Sequence, residues 1–157
     1  MGAEVSVPGF DISVELSVEA PDLDVGGLSV LADKVMAGEE TPEGTGLSIL
    51  LTDDEEIRGM NLQFLGIDEP TDVLSFPDEA GDFVVGMAES PYLGDIAISL
   101  PTARRQAVEA KHDLEAEVAH LLVHGILHLR GYEHINGGEE ETRMRAREEH
   151  YLGMVHS

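Results

Sequence analysis

The segment from His120 to His134, HLLVHGILHLRGYEH, constrains this chain more than any other part of its sequence. His124 and His128 are four residues apart, so on a helix they lie on one face about one turn from each other. Their ring nitrogens can then bind a single metal ion at about 2.0–2.1 Å. The other positions are almost all apolar, which predicts a helix that is buried on most sides.

Gly131 allows the chain to leave this helix three residues after His128. Glycine adopts a left-handed conformation at little steric cost, so a turn there can bring His134 to the open side of the same ion. Three imidazoles around a tetrahedral ion leave one position for water, as in catalytic zinc sites rather than closed structural ones. We therefore predict that His124, His128 and His134 bind one zinc ion per chain, although imidazole also suits nickel, copper and iron.

The alternative is that these are ordinary histidines of a packed helix. Several unpaired imidazoles on a buried helix would be costly to desolvate, and a bound metal removes that cost. His120, one turn before His124, is predicted to be a packed residue because the turn already supplies a third ligand. Three further histidines are predicted to lie on the surface: His112, His150 and His156.

The absence of cysteine excludes disulfides and thiolate metal sites, so a metal must be held by His, Asp or Glu. The 157 residues, 42% of them hydrophobic, fit one globular domain spanning residues 1–157.

The first residues, MGAEVSVPGFDISVELSV, lack the basic start and long apolar run of a signal peptide. No stretch approaches the ~20 apolar residues that span a bilayer, so we expect a cytoplasmic protein with no membrane partner.

The chain is strongly acidic: nine Lys and Arg residues against 32 Asp and Glu residues give a formal net charge of −23. Phosphate contacts from basic residues supply most of the affinity of nucleic-acid binders. A chain this acidic repels RNA at long range unless its few cations are concentrated in one place. By itself, the composition favours a solvated acidic surface over a surface for cationic partners.

The hydrophobic pattern predicts a single α+β domain in which helices pack on a small mixed sheet, with the metal site on a long central helix. Strands are predicted at residues 12–18, 46–51, 73–76 and 93–99. Helices are predicted at 25–37, from 52 to about 64, from about 100 to 112, from 113 to about 130, and from about 138 to 152.

Three helix starts are predicted from capping residues. Thr52 with Glu55 three residues later has the pattern of a capping box. Ser99 is a good cap for a helix with Pro101 in its first turn. Asp113 is predicted to begin the helix that carries the histidines.

Three segments together resemble one known family: HGILHLRGYEH (124–134), DEPTDVLSFP (68–77) and LGDIAIS (93–99). The first closely resembles the signature of the YbeY family of bacterial endoribonucleases, which is usually written with Asp where this chain has Glu133. The other two resemble the family's further hallmarks, and their order and spacing also match. The resemblance covers residues 61–134, while the first sixty residues match only in general pattern.

The resemblance implies a metal-bound RNase directed at single strands, which acts in small-subunit rRNA maturation and ribosome quality control. Its partners would be rRNA and ribosomal or ribosome-assembly proteins. Its metal ligands and catalytic residues would be His124, His128 and His134. Three residues of the matching motifs would support the site or the fold: Asp72, Ser75 and Asp95. Two roles are equally expected for Asp72: a hydrogen bond to the backbone, or a direct part in catalysis.

Leu65 departs from the family pattern, because many members carry an Arg three residues before the Asp of the DEPTDVLSFP motif. An Arg fork suits phosphate and developing negative charge, whereas Leu offers neither. Four arginines are candidates to take its place: Arg58, Arg104, Arg105 and Arg130. Two glutamates are candidate general bases: Glu133, beside the third ligand, and Glu117.

Two alternatives to an endoribonuclease remain. The spacing of the histidines and Gly131 also resembles the long zinc motif of metzincin proteases, but those enzymes need Glu immediately after the first His. This chain has Gly125 there. The second alternative is a non-catalytic ribosome-assembly factor that keeps the metal for stability, since such sites contribute folding free energy. Leu65 and the negative charge make this a serious alternative to the endoribonuclease.

Overall fold

The computed structural model describes residues 10–77, 92–130 and 138–152. The elements, in chain order, are β1 (Asp11–Leu16), α1 (Val25–Gly38), β2 (Gly46–Thr52), α2 (Asp54–Leu65), β3 (Val73–Pro77), β4 (Tyr92–Ser99), α3 (Leu100–Ala110), α4 (Leu114–Leu129) and α5 (Gly138–Leu152). None of the helices in these segments is long and apolar enough to cross a membrane.

The four strands form one mixed sheet in the order β1-β2-β4-β3. Strands β1, β2 and β4 are parallel, and β3 pairs with β4 in the antiparallel direction. Parallel neighbours need a crossover connection, and α1 provides it between β1 and β2. The predicted α+β class with a small mixed sheet is confirmed.

The two faces of the sheet pack against different helices. Alternate side chains of a strand point to opposite faces, and in β2 the buried residues Leu47, Ile49 and Leu51 belong to the main core with α1 and α4. Leu50 points the other way and packs in a smaller cluster with Ile57 of α2. The main core therefore lies on the α4 side of the sheet.

Helix α4 occupies the centre of that core. It packs against β3, β4, α1, α3 and α5, and its buried side chains include Leu122, Val123 and Ile126. Asp113 caps it as predicted, because its carboxylate accepts a hydrogen bond from the backbone N–H of Ala116 at 2.9 Å. The prediction of a helix buried on most sides is confirmed.

The predicted capping box at the start of α2 is wrong. Asp53 caps the helix, and its carboxylate accepts from the backbone N–H of Glu56 at 2.9 Å. Thr52 still belongs to β2, where it pairs with Ser99 of β4, and its hydroxyl donates to the Glu56 carboxylate. The strand continues one residue further than its sequence pattern indicates, so the helix begins one residue later.

Ser99 precedes α3 and Pro101 lies in its first turn as predicted, but the Ser99 hydroxyl makes no capping hydrogen bond. It donates to Asp54 Oδ1 at 2.6 Å, and Thr102 donates to the same oxygen at 2.6 Å. Burial opposes ionisation of Asp54, yet the hydrogen bonds from Ser99, Thr102 and Arg105 hold its pKa below the ordinary value. These contacts join the starts of α2 and α3.

Helix α5 is fixed to α1 by a polar network around Tyr151. Arg147 Nε donates to Glu39 Oε2 at 2.9 Å, and Arg147 Nη2 donates to the Tyr151 hydroxyl oxygen at 2.8 Å. The Tyr151 hydroxyl in turn donates to Glu39. Tyr151 is 3% exposed, and a Cβ at Gly38 would lie 2.3 Å from its hydroxyl oxygen. The ring therefore packs directly on the backbone at the end of α1.

Replacing Gly94 by Ala should lower the free energy of unfolding by at least about 2 kcal/mol. Gly94 has a φ of 152°, and a Cβ there would lie 2.4 Å from the carbonyl oxygen of Phe76 on the paired strand. Gly59→Ala is the matched control, because nothing lies within 4 Å of a Cβ at this helical position. The free energy of unfolding of this control, measured by urea denaturation, should rise by about 0.5–1 kcal/mol. Equal effects of the two variants would contradict the strain at Gly94.

The wild-type protein should lose stability at alkaline pH, and Tyr151→Phe should remove that loss. Burial, together with the hydrogen bond to Glu39, raises the pKa of Tyr151 from 10.0 to about 12. Because the folded-state pKa is raised, the stability from neutral Tyr151 is fully present below pH 10 and is lost as the pH rises towards 12. Denaturation at pH 8 and pH 11 should show the wild type losing more stability than the variant. Parallel losses in the two proteins would refute this assignment.

Candidate metal centre

Two of the three predicted ligands, His124 and His128, are brought together on α4. Their ring centroids lie 4.6 Å apart, with the ring planes at 75°. Both side chains are half-buried, at the boundary between the core and solvent. A metal ion can therefore be reached by two imidazoles that the helix itself holds in place.

The third predicted ligand, His134, lies outside the described residues, as do Gly131 and Glu133. Within residues 10–77, 92–130 and 138–152, no group of three or more His, Cys, Asp or Glu side chains is placed to hold a metal ion. The three-ligand site therefore stays a prediction, to which the described part of the chain contributes two imidazoles.

Glu148 of α5 contacts the first of these imidazoles. Its Oε2 lies 2.8 Å from His124 Nδ1, and the two side chains are 12% and 24% exposed. A carboxylate that accepts from Nδ1–H leaves Nε2 as the nitrogen that ligates a metal, the usual arrangement around zinc-bound histidines. The donor set on α4 and α5 thus fits a metal site built from imidazole.

Glu148 is a site residue that the histidine motif does not indicate, although the sequence carries a signal for it. Met144 and Tyr151 are buried, and Glu148 lies four residues after one and three residues before the other. Spacings of three and four place it on the same, inward face of α5. A carboxylate on the apolar face of a helix needs a partner, and here the partner is a predicted metal ligand.

His120 lies on the same side of α4 but one turn further from His128. Its ring is stacked on that of His124 at a centroid distance of 6.4 Å and an angle of 15°. The side chain is half-buried. This stacked packing agrees with the expectation of a packed residue and does not suggest a fourth ligand.

Glu117 is engaged elsewhere. Its Oε1 lies 2.6 Å from His112 Nε2, and the two side chains are 10% and 29% exposed. Glu117 is also two helical turns, about 10 Å along the axis, from His124. His112 is half-buried, because its ring covers a nearly buried carboxylate. His150 is exposed as predicted, and His156 lies outside the described residues.

The residues of the second and third family motifs have separate roles. Asp72 accepts from the backbone N–H of Val73 at 2.7 Å and from Gln106 Nε2 at 3.3 Å, which fixes the start of β3. Ser75 and Asp95 instead line a groove of about 670 Å³. Of the two roles expected for Asp72, a backbone hydrogen bond or a part in catalysis, the structure shows the backbone hydrogen bond.

This groove lies between α2 and the face of the sheet opposite α4. Its walls include the apolar side chains of Met60, Phe64, Leu65 and Phe76. Phe64 and Leu65 are each 57% exposed, and the rings of Phe64 and Phe76 lie 5.0 Å apart. At the position where many family members carry Arg, this chain therefore presents an apolar groove wall.

The four candidate replacement arginines are held by other groups. Arg58 pairs with Asp68 at 2.7 Å, Arg104 with Asp22 at 2.7 Å, and Arg105 with Asp54 at 3.0 Å. Arg130 donates to the backbone carbonyl of Glu39 at 3.2 Å. The hydrogen bond from Arg58 holds the pKa of Asp68 below its ordinary value. None of these contacts places a guanidinium at Leu65.

Gly125 bears on the protease alternative. It is buried, and a Cβ added there would lie 3.1–3.4 Å from three atoms of the Ile96 side chain in β4. The position directly after His124 therefore faces the sheet, where a glutamate would collide with the core. The general base that metzincins carry at this position has no room here.

Comparisons with known proteins agree with the motifs. Residues 22–156 match the family model described as Endoribonuclease YbeY. A relative from Chloroflexus aurantiacus named Endoribonuclease YbeY is 48% identical over 126 residues, covering 79% of this chain and 82% of the relative. One from Pelotomaculum thermopropionicum with the same name is 45% identical over 130 residues, covering 83% and 85%.

A solved structure supports the fold as well. The solution structure of TM1509 from Thermotoga maritima matches with a TM-score of 0.60 and 27% identity, covering 90% of this chain and 89% of the other. The match extends well beyond the three motifs, into the N-terminal part that resembled the family only in general pattern. With the family model matching most of its length, the chain belongs to the YbeY family.

Proposed function

We propose that this chain is a cytoplasmic, metal-dependent endoribonuclease that cleaves single-stranded RNA in small-subunit rRNA maturation and ribosome quality control. One zinc ion per chain would be held by His124, His128 and His134. The observation that carries the proposal is the pair of adjacent imidazoles on α4, one of them bonded to a carboxylate. The names of the curated relatives supply the substrate class.

When bound, a zinc ion supplies a water of lowered pKa and polarises a phosphodiester oxygen. The chain's own residues prepare that chemistry. The buried helix α4 fixes the backbone under His124 and His128, and Glu148 orients the His124 ring. Glu117 is bonded to His112, so Glu133 is the remaining candidate for the base that takes the proton from water.

A non-catalytic ribosome-assembly factor is the second candidate function. Leu65 gives an apolar groove wall where an arginine would contact phosphate, and three candidate substitutes are paired with carboxylates. Such a protein would keep its metal for folding free energy and bind ribosomal proteins without cleaving RNA. The two functions share a metal centre and differ in chemistry.

His124→Ala should abolish both metal binding and RNA cleavage. The wild type is expected to contain about one zinc ion per chain, and the variant to cleave single-stranded RNA more than about 100-fold more slowly, since loss of even an outer partner of a ligand costs 10–100-fold. His150→Ala is the matched control, because His150 is exposed on α5. Metal analysis and a cleavage assay on all three proteins provide the measurement.

His134→Ala extends the same experiment to the third predicted ligand and should behave like His124→Ala. Bound zinc without cleavage in the wild type would favour the assembly factor. Cleavage that survives in both ligand variants would contradict the metal-dependent mechanism itself.

Leu65→Arg should strengthen binding of single-stranded RNA if the substrate passes along the groove. One added phosphate contact is expected to steepen the dependence of log affinity on log salt by about 0.7. Leu62→Arg is the matched control, since Leu62 lies on the same helix, is 48% exposed and does not line the groove. Binding measured at several salt concentrations should separate the two variants. Equal slopes would place the RNA path away from Leu65.

A further inference from the structure

Glu148 makes a polar contact with His124 that joins α5 to α4. We propose that Glu148 is a positioning residue for the metal centre, which holds His124 in the tautomer and ring orientation that binds the metal. The inference rests on the proposed metal site, and it adds a residue that the three-histidine motif does not contain.

The contact between Glu148 and His124 bears on which ring nitrogen carries the proton. Glu148 Oε2 lies 2.8 Å from His124 Nδ1, and a carboxylate accepts a hydrogen bond there from the tautomer with its proton on Nδ1. In the neutral imidazole the lone pair is then on Nε2. Of the two neutral tautomers, Glu148 therefore stabilises the one whose Nε2 can ligate a metal.

The neighbouring residues of α5 hold the Glu148 backbone in place. Glu148 stands between two anchored residues of α5: Met144, 1% exposed, and Tyr151, 3% exposed. The neighbouring Arg147 bonds both Glu39 and Tyr151. Because these contacts already fix the helix, little additional conformational entropy is lost when the Glu148 carboxylate is held against the ring.

A positioning role and a plain helix-docking role for Glu148 have different effects on metal affinity. A docking contact would contribute to the stability of the metal-free protein and would have no effect on metal affinity beyond that. Glu148 is 12% exposed, and the Tyr151 network and the Met144 side chain hold α5 without it. A positioning role instead predicts a loss of metal affinity that exceeds any change in metal-free stability.

The test uses the full chain, stripped of metal and titrated with zinc against a competing chelator. Glu148→Ala should weaken zinc binding 10–100-fold, and Glu148→Gln, which keeps an acceptor but loses the charge, should weaken it by less. Glu149→Gln is the matched control, because Glu149 is the exposed neighbour on the same helix. Thermal unfolding of the metal-free proteins checks that all the variants fold.

A second readout follows the proton directly. Nitrogen-15 NMR of histidine-labelled, metal-free protein should show His124 with its proton on Nδ1 in the wild type and in Glu149→Gln. Glu148→Ala should shift the ring towards the Nε2–H form. A tautomer ratio in Glu148→Ala equal to that of the wild type would contradict the positioning role, whereas the zinc affinity distinguishes positioning from a purely structural contact.

The outcomes distinguish this inference from the proposed function. If the wild type binds no zinc, or binds it equally well as His124→Ala, the metal centre itself is wrong and Glu148 positions no ligand. If the wild type binds zinc through His124 and the Glu148 variants match Glu149→Gln in affinity and tautomer, only the positioning role is wrong.

Discussion

The burial of α4 against the sheet is the constraint on which the rest of the structure depends. Its apolar side chains fill the main core between the sheet, α1 and α5, so rotation of the helix about its axis would expose that surface to water. The rotation that buries Leu122 and Ile126 also fixes the direction of His124 and His128 at the edge of the core. Hydrophobic packing thus sets the geometry of the polar site.

Sequence patterns predicted the features that depend on local spacing. The two histidines four residues apart, the cap at Asp113 and the class of the fold all follow from periodicity and short-range chemistry. The cap of α2 was misassigned because Thr52 remains paired with Ser99, a partner 47 residues away. Glu148 was missed because its role exists only once α5 packs on α4. The first error concerns a tertiary contact that no local pattern contains. For Glu148, the spacing from Met144 and Tyr151 indicates an inward face of α5 but does not identify the partner that the carboxylate meets there.

The negative charge and the RNA-directed proposal can be reconciled through the arrangement of the cations. All nine Lys and Arg residues lie within the described segments, and Arg58 and Arg104 are paired with carboxylates in exposed positions. Exposed ion pairs contribute only about 0–1 kcal/mol, so a phosphate can exchange for such a carboxylate at small cost. Repulsion from the remaining acidic surface is screened beyond about 8 Å at physiological ionic strength.

Gly125 has a consequence for how closely the site is tied to the core. Because it has no side chain, α4 approaches Ile96 of β4 more closely than any other residue type would allow. Metal–ligand distances are specified to within about 0.2 Å, which is smaller than the displacement that one methyl group would impose on the helix. His124 precedes Gly125 directly, so in the proposed metal centre the spacing between helix and sheet also sets the position of the His124 ring. A side chain at Gly125 would then be expected to disturb the proposed ligand geometry as well as the core.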